Sequence, residues 1–234
     1  MTIALELSGV AKTFTMHLQG GLCLPVVSDV TFSVARGECV VLAGPSGVGK
    51  SSILKMIFGS YRCDRGRILV HHEARQTDIA TASPRCMMAL RRHTLGYVSQ
   101  FLRAVPRVPA LDVVAEPLLA RGTSREEARR QATALLTRLN IDSRLWGLAP
   151  ATFSGGEQQR INIARGFVAD LPVLLLDEPT AALDAANSHV VVDLVEDRKR
   201  RGTAIVAIVH DDAIRERIAD AIVDMTLFNA RPGA

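Results

Sequence analysis

The chain has 234 residues, 48% hydrophobic, 22% charged and 4% aromatic, which suits one packed domain with a subdomain and excludes a charge-rich disordered chain. Its 28 basic and 24 acidic side chains leave +4, with Lys and Arg spread along the sequence, so nothing points to direct nucleic-acid binding. Cys23, Cys39, Cys63 and Cys86 show no C-x-x-C spacing, the amino terminus has no secretory pattern, and no uncharged apolar run nears the roughly 20 residues of a membrane span; the expectation is a cytoplasmic protein without membrane insertion.

From Ile3 to Val34 apolar and polar residues alternate, in Leu5-Glu6-Leu7 and in Val30-Thr31-Phe32-Ser33-Val34. That period of two predicts half-exposed antiparallel strands. Leu18 to Leu24, with Gly20 and Gly21, reads as a hairpin excursion between them. Val40 to Ala43, Val173 to Leu176 and Ala204 to Val209 are continuous apolar runs, as in a parallel sheet covered on both faces.

Each run ends in polar chemistry: Gly44 to Ser51, then Asp177 with Glu178, then His210 with Asp211. Ligands of open α/β sheets sit beyond the carboxyl ends of the strands, so three segments bring phosphate-handling residue types to one rim. From about 85 to 170 the pattern is helical. Ser124 and Glu127 have capping-box spacing ahead of Ala128, Ala132, Leu135, Leu136 and Leu139, an amphipathic helix with Arg125, Arg129, Arg130 and Arg138 solvated. Arg198-Lys199-Arg200-Arg201 reads as a solvated helix C-terminus. No repeat or linker divides the chain, so residues 1–234 are read as one α/β domain.

Gly44-Pro45-Ser46-Gly47-Val48-Gly49-Lys50-Ser51 matches G-x-x-x-x-G-K-[ST]. The glycines let the loop curl its N–H groups inward, Lys50 can reach the β- and γ-phosphates, and Ser51 can ligate Mg²⁺. Ser51 and Ser52 open a helix predicted to Gly59, whose positive end faces the same anion. Nucleoside triphosphate binding follows. Asp177 can hold Mg²⁺ while Glu178 polarises an attacking water. Ser154-Gly155-Gly156-Glu157-Gln158 combines capping-box spacing, Ser154 to Glu157, with two glycines whose bare N–H groups suit a phosphate at a helix start.

In order along the chain, the phosphate loop, Gln100 in Tyr97-Val98-Ser99-Gln100, Ser154 to Gln158, Asp177 and Glu178, Leu183-Asp184, and His210 resemble the ATP-binding cassette (ABC) ATPase family. The resemblance implies a P-loop NTPase of ABC type, with a mainly parallel core sheet, an N-terminal antiparallel β subdomain and a helical subdomain at about 85–170. It implies that Glu178 is the general base, that Gln100 couples metal and water to the helical subdomain, and that His210 contacts the γ-phosphate. It also implies a head-to-tail homodimer or heterodimer, in which Ser154 and Gly156 close on the ATP held by the other subunit's loop and Asp184 lies at the seam. Phe14, in Lys12-Thr13-Phe14, falls where the family places an adenine-stacking aromatic.

Within the family, Ser99 to Arg107 and Leu145 to Pro150, with Phe153 entering the signature Ser154 to Gln158, look like the L-subunit ABC protein of the carbon-phosphorus lyase system for phosphonates. That likeness implies soluble lyase core subunits as partners, in a system associated with synthesis of ribose 1-methylphosphonate 5-triphosphate. No second catalytic set is evident here, so the glycosyl chemistry is expected on partner subunits. The rivals are an ATPase subunit docked through Arg103 and Arg107 on a membrane permease, and a nonhydrolytic ATP-switched scaffold.

Overall fold

The computed structural model describes residues 2–16, 20–72, 75–102 and 106–229. The two apolar patterns become two sheets. The alternating segment forms β1 (Ile3–Met16) and β2 (Leu22–Ala35), paired antiparallel from Ile3↔Ala35 to Met16↔Leu22. Of the expected excursion, Leu22 to Leu24 lie on β2, and Gly20 and Gly21 stand at positive φ in the turn before it; Leu18 lies outside the described residues. β4 (Arg65–His72) and β5 (Arg75–Asp78) complete this sheet in the order β2-β1-β4-β5.

The continuous apolar runs form the core sheet: β3 (Cys39–Ala43), β6 (Leu95–Val98), β7 (Val173–Asp177), β8 (Ala204–Ile208) and β9 (Ala221–Asp224). All pairs are parallel, in the order β6-β7-β8-β3-β9. Both faces are covered, which is why the runs show no alternation. Cys39, Val41, Leu174, Leu176, Ile205 and Ala207 enter one core, and Val40, Leu42, Val173, Leu175, Ala204 and Val206 enter the other.

The first core is roofed by α3 (Ala110–Leu119), α4 (Arg125–Arg138), α5 (Gly155–Phe167) and α6 (Ala185–Arg200). The second holds α1 (Lys50–Ile57), the inner face of the antiparallel sheet and Leu90 of α2 (Pro84–His93). The span read as helical, 85–170, is therefore not uniform: β6 interrupts it, and α2 packs on the α1 side while α3 to α5 share the opposite core. α7 (Asp212–Ile218) links β8 to β9.

Two local expectations need correction. Ser124 accepts a hydrogen bond from the Glu127 N–H, but the Glu127 carboxylate turns to Arg130 and Gln131, so only half of the capping box forms. A neighbouring guanidinium competes better than a backbone amide already exposed to water. Arg198 is not solvated: it is buried, hydrogen-bonds the Phe167 carbonyl and pairs with Asp170. Lys199 ties α6 to the Ile218 carbonyl and Asp220, leaving Arg200 and Arg201 as the exposed members of the run. Arg129 and Arg138 of α4 also pair, with Asp112 and Asp197.

Candidate nucleotide site

The carboxyl end of β3 runs through Gly44 to Gly49 into α1. Gly49 has φ 99°, and a Cβ there would lie 2.5 Å from a Val27 methyl carbon and 2.9 Å from one of Val26. Only glycine fits where β2 presses on the loop. No side chain caps α1, which leaves its first amides, at Lys50, Ser51 and Ser52, for an anion. Lys50 is only 7% exposed, and its Nζ donates to the carbonyls of Gly44 at 2.7 Å and Pro45 at 2.9 Å. Burial lowers its pKa while Glu178 and Asp177 pull it up. The loop thus encloses a cation rather than extending it.

β7 delivers Asp177, buried at 3% exposure. Its Oδ1 accepts from Ser51 Oγ at 3.0 Å and its Oδ2 from the Tyr97 hydroxyl at 2.9 Å. A hydroxyl and a carboxylate meeting at one point are the hard oxygen donors Mg²⁺ prefers. Among the described residues no group of three or more His, Cys, Asp or Glu could hold a metal by itself, so an ion at this pair would draw its remaining ligands from phosphate and water. The residues present fit that arrangement.

Glu178 has φ 52°, a left-handed conformation uncommon outside glycine and concentrated at functional sites. Its N–H donates to the Ile208 carbonyl of β8 at 3.1 Å, which fixes the turn. One carboxylate oxygen lies 2.9 Å from His210 Nε2 and the other accepts from Gln100 Nε2 at 3.3 Å. Residues at the carboxyl ends of β6, β7 and β8 thereby converge beside the loop that follows β3. Here Gln100 meets Glu178, while Asp177 is held by Ser51 and Tyr97.

Ser154 caps α5 in a complete box: Glu157 N donates to Ser154 Oγ at 3.3 Å and Ser154 N to Glu157 Oε2 at 2.9 Å. Ser154 and Gly155 are exposed, and a Cβ on Gly156 would sit 3.2 Å from the Ala182 carbonyl. Among the described residues no hydrogen bond joins this helix start to residues 44–51 of the same chain. Asp184 caps α6, accepting from Asn187 N at 2.8 Å, and that bond holds its carboxyl below the usual range.

Three links were not read from the sequence. Gln159 Nε2, buried on α5, donates to the Pro179 carbonyl at 3.2 Å, and Asn162 donates to the Ser99 carbonyl next to Gln100. Tyr97 holds Asp177. The signal available was amide side chains at positions 159 and 162 on the inner face of an amphipathic helix, where polar groups require partners.

Phe14 stands opposite Leu24 on the hairpin, beyond the Val26 and Val27 that crowd Gly49. It is half-buried and lies outside both cores. Tyr61 meets it edge-on at 5.2 Å between centroids, and Lys12 Nζ lies 5.2 Å from its ring centre. Arg103 lies outside the described residues, and Arg107 is exposed at φ 64°.

Comparison with known proteins gives a consistent answer. The family described as ABC transporter matches residues 27–181. The lipoprotein-releasing system ATP-binding protein LolD of Shewanella sp. (strain MR-4) is 32% identical over 217 residues, 92% of this chain and 90% of LolD. The macrolide export ATP-binding/permease protein MacB of Sodalis glossinidius is 33% identical over 213 residues, 91% of this chain but 31% of MacB. The chain therefore spans about a third of that relative's length. The dimeric post-hydrolysis structure of the ATP-binding cassette MJ0796 with ADP and Pi superposes with a TM-score of 0.82 at 28% identity, covering 94% of this chain and 96% of that one.

Proposed function

The chain belongs to the ABC transporter family of ATP-binding cassettes, and from that premise we propose that it hydrolyses MgATP as a head-to-tail dimer and drives the carbon-phosphorus lyase machinery of phosphonate metabolism. The observation that carries the hydrolysis is the grip of Gln100 and His210 on the two oxygens of Glu178, beside the Ser51–Asp177 pair. Lys50 leaves its two carbonyl partners to meet the β- and γ-phosphates, while the loop from Gly44 through Pro45, Ser46, Gly47, Val48 and Gly49 and the first amides of α1 bind the remaining oxygens. Ser51 and Asp177, with Gln100, would hold a bound Mg²⁺, which would supply neutralisation of the phosphate charge.

Glu178 takes the proton of the attacking water as its oxygen bonds the γ-phosphorus; the bond to ADP breaks and ADP leaves with the electron pair. His210 and Gln100 hold the base in line, and His210 also contacts the γ-phosphate in this reading. The start of α5, Ser154 to Glu157, closes on the nucleotide of the opposing protomer, with Asp184 at the seam and Phe14 under the adenine. The dimeric form of the MJ0796 cassette supports this arrangement.

The coupling to soluble lyase subunits rests on the likeness of residues 99–107 and 145–150, with Phe153, to the L-subunit. The start of α3 anchors the second stretch, with Ala110 N donating to the Leu148 carbonyl at 2.9 Å and Leu111 N to the Trp146 carbonyl at 3.1 Å. A second reading, an ATPase subunit on a membrane permease, is favoured by the matches to LolD and MacB. No helix among the described residues is long and apolar enough to cross a membrane, so in that reading the permease is another segment or chain. Affinity purification from lysate prepared without detergent separates the two. Recovery with phosphonate lyase subunits supports the first, and recovery with permease subunits alone overturns it.

A further inference from the structure

Glu178 and His210 also line a cavity of about 610 Å³ that no residue of the phosphate loop reaches. Its walls are the loop after β7, the first turns of α6, and α7. Among its lining residues, His189 and Arg217 have no part in the roles given above. His189 Nδ1 lies 2.8 Å from the Ala185 carbonyl, which only accepts, so Nδ1 carries a proton and Nε2 is left for another partner. Arg217 spends one nitrogen on Asp193 at 2.7 Å and keeps further donors in its fork. The acids of the cavity are Glu178, engaged with His210 and Gln100, and Asp211, whose Oδ1 caps Ile214 at 3.0 Å. The cavity thus offers a small oxyanion a ring nitrogen and a guanidinium, both exposed, beside Ala181, Leu183, Val192 and Ile214.

We propose that this cavity receives the inorganic phosphate released by hydrolysis, with His189 and Arg217 lining its way out. This rests on the ATPase reading above. In-line attack places the incoming water opposite ADP, so the new P–OH group faces Glu178 while ADP still fills the loop behind it. Nε2 of His189 accepts from that hydroxyl, or as imidazolium donates to a phosphate oxygen, and Arg217 offers charge-assisted donors beyond it.

The test compares ATP cleavage by quenched flow with phosphate release by a phosphate-binding fluorescent sensor, in the unaltered chain, His189→Ala, His189→Gln and Arg217→Gln, with thermal melts to verify folding. The expected result is unchanged cleavage in the first turnover and release slowed about tenfold in His189→Ala and Arg217→Gln, the size of one lost charge-assisted hydrogen bond. His189→Gln should recover part of the rate, and added inorganic phosphate should inhibit the two slowed variants less. Release that keeps pace with cleavage in both variants overturns the proposal while leaving the ATPase reading standing. An unaltered chain that cleaves no ATP overturns both.

Discussion

Gln159 on α5 holds the carbonyl oxygen of Pro179, the residue directly after Glu178, at 3.2 Å. A buried amide on the helix that opens at Ser154 thus fixes the backbone beside the proposed base. Gln159→Leu, which nearly keeps the volume, leaves that carbonyl without its partner. We expect a loss of about 1–3 kcal/mol in unfolding free energy and a lower kcat with nucleotide affinity preserved. Urea titration and steady-state ATPase assays check both, and unchanged kcat would show that the bond only stabilises the fold.

The left-handed backbone of Glu178 separates stability from activity. Glu178→Gly and Glu178→Ala both remove the carboxylate, but only glycine relieves the strain at φ 52°. The glycine variant should be the more stable of the two by about 1 kcal/mol, and both should lose turnover by the ~10²–10⁴-fold attributed to a general base. Glu178→Gln should retain ATP binding and accumulate dimers, visible by light scattering. Equal turnover in Glu178→Gln contradicts the assignment of the base and leaves the scaffold reading.

Lys50→Ala empties the ring formed by the Gly44 and Pro45 carbonyls. Nucleotide binding, followed by a fluorescent ATP analogue, should be lost. The fold should survive, because the ammonium that is removed was costly to bury. Retained micromolar binding would mean that the backbone amides alone suffice.

Phe14→Ala tests the adenine platform. If the ring stacks on the base, ATP affinity should fall by about 1–3 kcal/mol while the affinity for inorganic triphosphate stays unchanged. An equal loss for both ligands would instead assign Phe14 to bracing Tyr61 and Lys12.

Burial on β3 pushes the Cys39 thiol up to about 12 from 9.0, with Lys199 opposing and Asp220, Glu196 and Glu38 adding to the rise. Below pH 9.0 the thiol is protonated in both states and its contribution is complete. Above that, the unfolded chain loses the proton first, so stability must fall as pH rises towards about 12, with a slope approaching ~1.4 kcal/mol per pH unit. Cys39→Ala should start less stable at neutral pH and show a shallower alkaline decline in urea midpoint. Parallel declines would place the alkaline sensitivity elsewhere.

Local pattern accounts for what could be read in one dimension. The alternation of Leu5-Glu6-Leu7 and the unbroken Val173 to Leu176 run register whether one or both faces of a strand are covered, and the glycines of the phosphate loop register a backbone path closed to other residues. Weaker patterns hid more. β4 and β5 are mostly exposed, with Ile68 and Val70 as their main buried contribution, and four-residue β9 carries too few positions to show a period. Ser124 had the spacing of a capping box, but spacing did not reveal which partner Glu127 would choose.

Sequence alone determined the order of the phosphate-handling groups and the two-sheet architecture, because hydrophobic period and glycine placement are properties of neighbours along the chain. Only tertiary structure decided that Gln100 and His210 would share Glu178, that Tyr97 would hold Asp177, and that Arg198 would be buried. Those pairings join residues 32 to 80 positions apart. Their geometry follows from which strand ends the parallel sheet sets side by side, a choice made by the packing of two cores on its opposite faces.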